Sequence, residues 1–121
     1  MTPAVLIVDD ELAICHNLAA YLEDEGMRVR AVQTGEEALQ YVATGGVADV
    51  CIMDLRLPGM SGPATIMALR ARLPALRFIV HSGSTPADVA GELARTGLRE
   101  VPIFTKPISD MGRLVGVITA G

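Results

Sequence analysis

Aromatic side chains are nearly missing from this 121-residue chain, which has no tryptophan, two tyrosines and two phenylalanines. Its core must therefore be built from Val, Leu, Ile, Met and Ala, and a half-apolar composition is ample for one core. Cysteine is scarce too. Cys15 and Cys51 sit in apolar surroundings with no CxxC spacing and no histidine partner, which excludes a disulfide framework or a zinc site and leaves them as small core residues. Positive charge is in deficit, ten Lys and Arg against fourteen Asp and Glu, for a net charge of −4. No basic stripe exists for nucleic acid or an anionic membrane, so a protein partner is expected. No apolar run approaches the roughly 18 residues of a membrane span, and the opening MTPAVLIVDDE lacks the charged start and long apolar core of a signal peptide. The cytoplasm is the expected location. With no repeat, low-complexity tract or linker, residues 1–121 read as one domain.

What is present alternates regularly. Ala4 to Val8 is a short apolar run. Glu11 to Glu25 follows at helical spacing, with Leu12, Ile14, Leu18, Tyr21 and Leu22 as its apolar face and Gly26 as its stop. Met27 to Val32 predicts a second strand. Thr34 and Glu37 fit a capping box opening a helix that closes near Gly45 and Gly46. Strands are then predicted at 48–54, 76–82 and 101–105. Helices are predicted at 61–73, from Thr85-Pro86 onward, and at 109–120, the last weakened by Gly112 and Gly116.

Five strands alternating with five helices imply an α/β fold, a doubly wound parallel sheet covered on both faces. The first and third strands are continuous apolar runs, as central strands are. The second interleaves Arg28 and Arg30, and the fifth contains Pro102, so these two belong at the edges. The order 2-1-3-4-5 meets that constraint, and its ligand crevice lies at the carboxyl ends of strands one and three.

Asp9 and Asp10 end the first strand, Asp54 the third, Ser82 the fourth, and Lys106-Pro107 follows the fifth. Like charges 4 Å apart repel by about 4 kcal/mol per pair at an effective dielectric near 20. A cation must sit among the carboxylates, either Lys106 or a hard divalent ion held by oxygen, for which Mg²⁺ is the best fit. A carboxylate nucleophile, a metal, a lysine and a hydroxyl together are the parts of a phosphoryl-transfer site.

The ordered set VLIVDDE, DLRLPGMSG, HSGS and FTKP resembles the receiver domain of two-component response regulators over nearly the whole chain. The resemblance implies a flavodoxin-like (βα)5 fold and a phosphoacceptor role for Asp54, fed by a histidine kinase or a phosphotransfer protein. It implies Asp10 and Asp54 as direct Mg²⁺ ligands, the Arg56 backbone carbonyl as a third, and Asp9 acting through water. Lys106 resembles the lysine that contacts the acceptor and then the phosphoryl group, and Ser82 the switch hydroxyl; a cis Lys106-Pro107 bond is expected. Output is expected through the face of helix four, strand five and helix five, to a downstream protein or a second copy. Such a domain catalyses only its own phosphorylation and dephosphorylation.

Several residues have blander readings. Glu11 reads first as a helix N-terminal carboxylate, and His16 as solvated. His81 should point to the face opposite Ser82, and Asn17 has no evident role. Helix five is expected to turn Met111, Val115 and Ile118 to the sheet, leaving Leu114 and Val117 near the rim as a partner surface. Two positions depart from the family pattern: Ile103 stands where an aromatic ring usually reports phosphorylation, and Arg56 and Ser84 flank the phosphoryl site, where they would set its lifetime. The alternatives are an aspartyl-phosphate phosphohydrolase, opposed by Arg56 where a second acid would stand, and a binding module that is never phosphorylated, opposed by Asp10, Asp54 and Lys106. An isolated domain and one excised from a longer protein are both compatible with the sequence.

Overall fold

The computed structural model describes residues 2–98 and 100–120. Strands β1 (Ala4–Val8), β2 (Arg28–Val32), β3 (Val50–Met53), β4 (Arg77–Ser82) and β5 (Ile103–Thr105) form one parallel sheet in the order β2-β1-β3-β4-β5. Helices α1 (Leu12–Asp24), α2 (Gly35–Ala43), α3 (Gly62–Arg72), α4 (Pro86–Leu93, followed by a 3-10 turn) and α5 (Met111–Thr119) connect and cover them. This is the flavodoxin-like architecture expected.

Alternation along the central strands sorts the core into two layers. Val5 and Ile7 of β1 and Val50 and Ile52 of β3 face α1 and α5, against Cys15, Leu18, Leu22, Leu114 and Ile118. Leu6, Val8, Cys51 and Met53 face the other way, against Ala38, Ile66, Leu69, Val89 and Leu93. Both cysteines are free and buried, as their surroundings suggested. The edges are also as expected, with Arg28 and Arg30 exposed on β2.

Three details differ from the sequence expectation. Strands β2 to β5 each begin one or two residues later than predicted, although Asp49 and Pro102, just ahead of β3 and β5, already bond to the neighbouring strand. On α1, Leu12 and Tyr21 stay 53% and 37% exposed. Leu12 sits in a first turn lying beyond the strand ends, so no sheet is beneath it, and the buried stripe is Cys15, Leu18 and Leu22. On α5, Leu114 is fully buried beside Ile118, while Met111, Val115 and Val117 are only half-buried. An i, i+4 pair centres that helix on the sheet, and among the described residues α5 carries no large apolar side chain in the open. The rim patch expected there, with its support for a dimer surface, is not formed.

Caps set where the helices begin. Thr34 accepts the Glu37 N–H at 3.0 Å, Ser61 that of Ala64 at 3.2 Å, Thr85 that of Asp88 at 3.2 Å and Asp110 that of Arg113 at 2.9 Å. Each satisfies an N–H that the helix cannot use. Gly62, at the start of α3, lies so close under the loop after β3 that a Cβ there would come within 2.5 Å of Leu55 Cα. That contact holds the segment between Asp54 and α3 against the sheet.

Candidate functional site

At the carboxyl edge of the sheet, backbone bonds fix three residues before any side chain is aimed. Asp9 donates its N–H to Val32 O at 3.1 Å, Asp54 to Val8 O at 2.9 Å, and Lys106 to Ser82 O at 2.9 Å. Asp9 and Asp54 are then oriented by one device used twice. In each, Oδ1 accepts the N–H two residues on, from Glu11 and from Arg56, both at 2.9 Å, a local bond that Asp readily makes. Each Oδ2 is left facing the same ammonium. Lys106 Nζ stands 3.0 Å from Asp9 Oδ2 and 3.1 Å from Asp54 Oδ2, with Glu11 Oε1 a third partner at 3.1 Å. The Lys106-Pro107 peptide bond is cis.

Asp9 and Asp54 are buried, whereas Asp10 is exposed at the mouth. Carboxylate oxygens of the three lie within 4.8 Å of one another. Lys106 does not use up their capacity, because Asp9 Oδ2 makes no hydrogen bond of acceptable geometry despite the nearby charge. A buried acceptor left over in an all-oxygen cluster fits a hard divalent cation.

Burial pushes the Asp54 pKa up; the Arg56 N–H and the Lys106 charge pull it back only in part. Burial also works against the charge on Lys106, but the adjacent carboxylates of Asp9, Glu11 and Asp54 outweigh it and raise the lysine pKa above its ordinary range. At neutral pH the lysine is a fixed cation.

The remaining predicted residues fall around this centre. Ser82 is buried at the end of β4, where its Oγ accepts the Ser84 N–H at 3.1 Å. Asp10, Glu11, Asp54, Arg56, Gly83, Ser84 and Lys106 line the open crevice. Arg56 reaches across it, with Nε donating to Ser84 Oγ at 3.1 Å and a terminal nitrogen 3.4 Å from Glu92 Oε1. His16 is exposed, as expected. His81 points away from Ser82, into the α1 and α5 side, and is 3% exposed with neither ring nitrogen partnered. Burial and then the Lys106 charge lower its pKa to about 4.

Three residues were underrated by sequence reasoning. Glu11 occupies the cap position of α1 but makes no side-chain capping bond and joins Lys106 instead. The third acid of the run Asp9-Asp10-Glu11 was its visible sign. Asn17 and His81 line one cleft of about 590 Å³ between α1 and the loop after β5, with Ile14, Tyr21, Ile108 and Met111. Nothing in the spacing connects these two positions.

Residues 5–119 match the family described as the response regulator receiver domain. The chain belongs to that family. Its receiver is 31% identical to a solved response regulator receiver protein from Pseudomonas putida, with a TM-score of 0.86 and coverage of 100% of this chain and 98% of the other. Among curated proteins, it is 43% identical over 95 residues to the transcriptional activator protein ExaE of Pseudomonas putida, covering 77% of this chain and 44% of ExaE. It is 31% identical over 93 residues to the transcriptional regulatory protein ZraR of Escherichia coli (strain K12), covering 77% of this chain and 21% of ZraR. The receiver thus spans less than half the length of either curated relative. No described helix is long and apolar enough to cross a membrane.

Proposed function

We propose that residues 1–121 form a phosphoacceptor domain whose acceptor is Asp54, served by a sensor histidine kinase or a histidine phosphotransfer protein in the cytoplasm. The observation that carries this reading is the placement of Asp54 Oδ2 at 3.1 Å from Lys106 Nζ, inside a cluster with Asp9 and Asp10. The oxygen is held in place by the Arg56 N–H on its partner oxygen, lines the crevice, and stands beside a permanent cation.

Asp54 Oδ2 attacks the phosphorus of a phosphohistidine in line with the departing imidazole. A P–O bond forms, the P–N bond breaks, and the imidazole leaves with a proton. Lys106 neutralises one phosphoryl oxygen, and the Ser82 hydroxyl, whose own proton is uncommitted to any described acceptor, donates to another. Asp10, Asp54 and the Arg56 carbonyl would hold Mg²⁺, with Asp9 acting through water; the ion, when bound, neutralises charge on the transferring group. The donor protein is expected over the cleft between α1 and the loop after β5, which opens beside Glu11 and Lys106. The face of α4, β5 and α5 is the output surface of this reading, toward a downstream protein or a second copy.

The test is intact mass after incubation with acetyl phosphate and Mg²⁺. An adduct of about 80 Da, one phosphoryl unit, that is lost in Asp54→Asn and on chelation with EDTA is the expected result. Its absence, together with failure to bind fluoroberyllate, overturns the reading.

A further inference from the structure

Arg56 gives its backbone N–H to Asp54, but its guanidinium is engaged elsewhere, on Ser84 Oγ at 3.1 Å and 3.4 Å from Glu92 Oε1. Glu92 lies in the last turn of α4. Ser84 in turn donates its N–H to Ser82 Oγ. One loop residue is therefore shared between the crevice hydroxyl and the guanidinium, and Arg56 ties the loop after β3 to the loop after β4 and to α4.

The ion pair is solvent-facing, with side chains 62% and 32% exposed, and such pairs are weak. A phosphoryl group on Asp54 would bring a charge of about −1.5 to −2 within reach of a residue two positions along the chain. Phosphate oxygens can take a guanidinium in a two-pronged bond, which a single carboxylate oxygen cannot.

We propose that Glu92 is a positioning residue for the phosphoryl group on Asp54, acting through Arg56. It parks the guanidinium on α4 in the unmodified chain, and the phosphoryl group competes for it. The inference rests on Asp54 being the phosphoacceptor. Two effects follow: Glu92 opposes occupancy of the site, and α4 loses an anchor when Arg56 changes partner. Because Ile103 offers no ring to report occupancy, this bridge is the charged connection available between crevice and α4 among the described residues.

The experiment is a mutant cycle read by fluoroberyllate affinity in Mg²⁺ and by the lifetime of the phosphorylated form, using wild type, Glu92→Gln, Arg56→Ala and the double variant. Glu92→Gln should tighten fluoroberyllate and lengthen the lifetime by about two- to five-fold, the scale of an exposed ion pair. In the Arg56→Ala background the same change should do nothing. Glu92→Asp, which keeps the charge, should return toward wild type. Hydrogen exchange in residues 86–93 should quicken on fluoroberyllate binding in wild type and not in Arg56→Ala. Equal affinity in wild type and Glu92→Gln, or an equal gain with Arg56 removed, overturns the assignment while leaving Asp54 as acceptor. A wild-type chain that takes neither fluoroberyllate nor a phosphoryl group overturns both.

Discussion

Lys106 Nζ and Asp9 Oδ2 are 3.0 Å apart, yet the carboxylate oxygen receives no well-formed hydrogen bond from the ammonium. The ammonium donates to Glu11 Oε1 and Asp54 Oδ2, each at 3.1 Å, and is paired with Asp9 by charge alone.

Lys106→Met should therefore leave Asp9 and Asp54 buried side by side without a cation. Removing one partner of a buried charge cluster costs about 3–5 kcal/mol, so the thermal midpoint should drop markedly in EDTA. Mg²⁺ should restore more stability to the variant than to wild type. A midpoint equal to wild type in EDTA would show that the carboxylates do not depend on the lysine.

Asp54→Asn should stabilise the fold at neutral pH. Burial raises the Asp54 pKa above its ordinary 3.8. The native chain then holds that proton more tightly than the unfolded one, and stability is lost as pH rises through the raised value. The asparagine variant has no such loss. Its midpoint should exceed that of wild type by a few degrees at pH 7, and the gap should narrow as the pH is lowered toward 4. A gap that widens on acidification would reverse the sign.

His81 gives the opposite dependence. Its pKa falls from 6.5 to about 4 because burial, and then the Lys106 charge, resist protonation. The unfolded chain takes up a proton first, so stability present at neutral pH is eroded as the pH falls through that window. His81→Leu should flatten the acid limb by up to roughly 3 kcal/mol. It should cost little at pH 7, where two unpartnered nitrogens are removed from the core. Urea denaturation at pH 7 and pH 5 measures both.

Gly62→Ala should displace the loop that carries Arg56. The added Cβ would meet Leu55 Cα at 2.5 Å and Asp54 O at 2.8 Å, and both are backbone atoms that cannot swing aside. Overpacking of this kind costs about 1–3 kcal/mol. Fluoroberyllate affinity should fall along with stability. A purely thermal defect with intact affinity would show that the loop adjusts without disturbing Asp54.

Much of this architecture was legible in the sequence because the strands announce their burial. Val50 to Met53 is apolar throughout and lies in the middle of the sheet, whereas Arg28 and Arg30 mark an edge. Asp9, Asp54 and Lys106 could be brought together in advance because strand ends are fixed once strand order is known. Leu114 could not be placed, since helical spacing allows several apolar stripes on α5 and only packing against Phe104 and Ile79 selects one. Glu11 was obscured by a competing local explanation, helix capping, which the structure does not use. Asn17 and His81 line one cleft formed by elements far apart in sequence, which periodicity does not encode.

The positive edge of the sheet has a consequence for crowding. Strand β2 leaves one row of backbone groups open, and an open row invites a second sheet to dock alongside. Arg28 and Arg30 are exposed on that strand, with Arg30 resting over the Tyr41 ring at 5.3 Å. Two copies meeting border to border would have to press arginine against arginine. A chain at high local concentration thus carries its own deterrent to edge-to-edge association, and neutralising both arginines should make it precipitate before it unfolds.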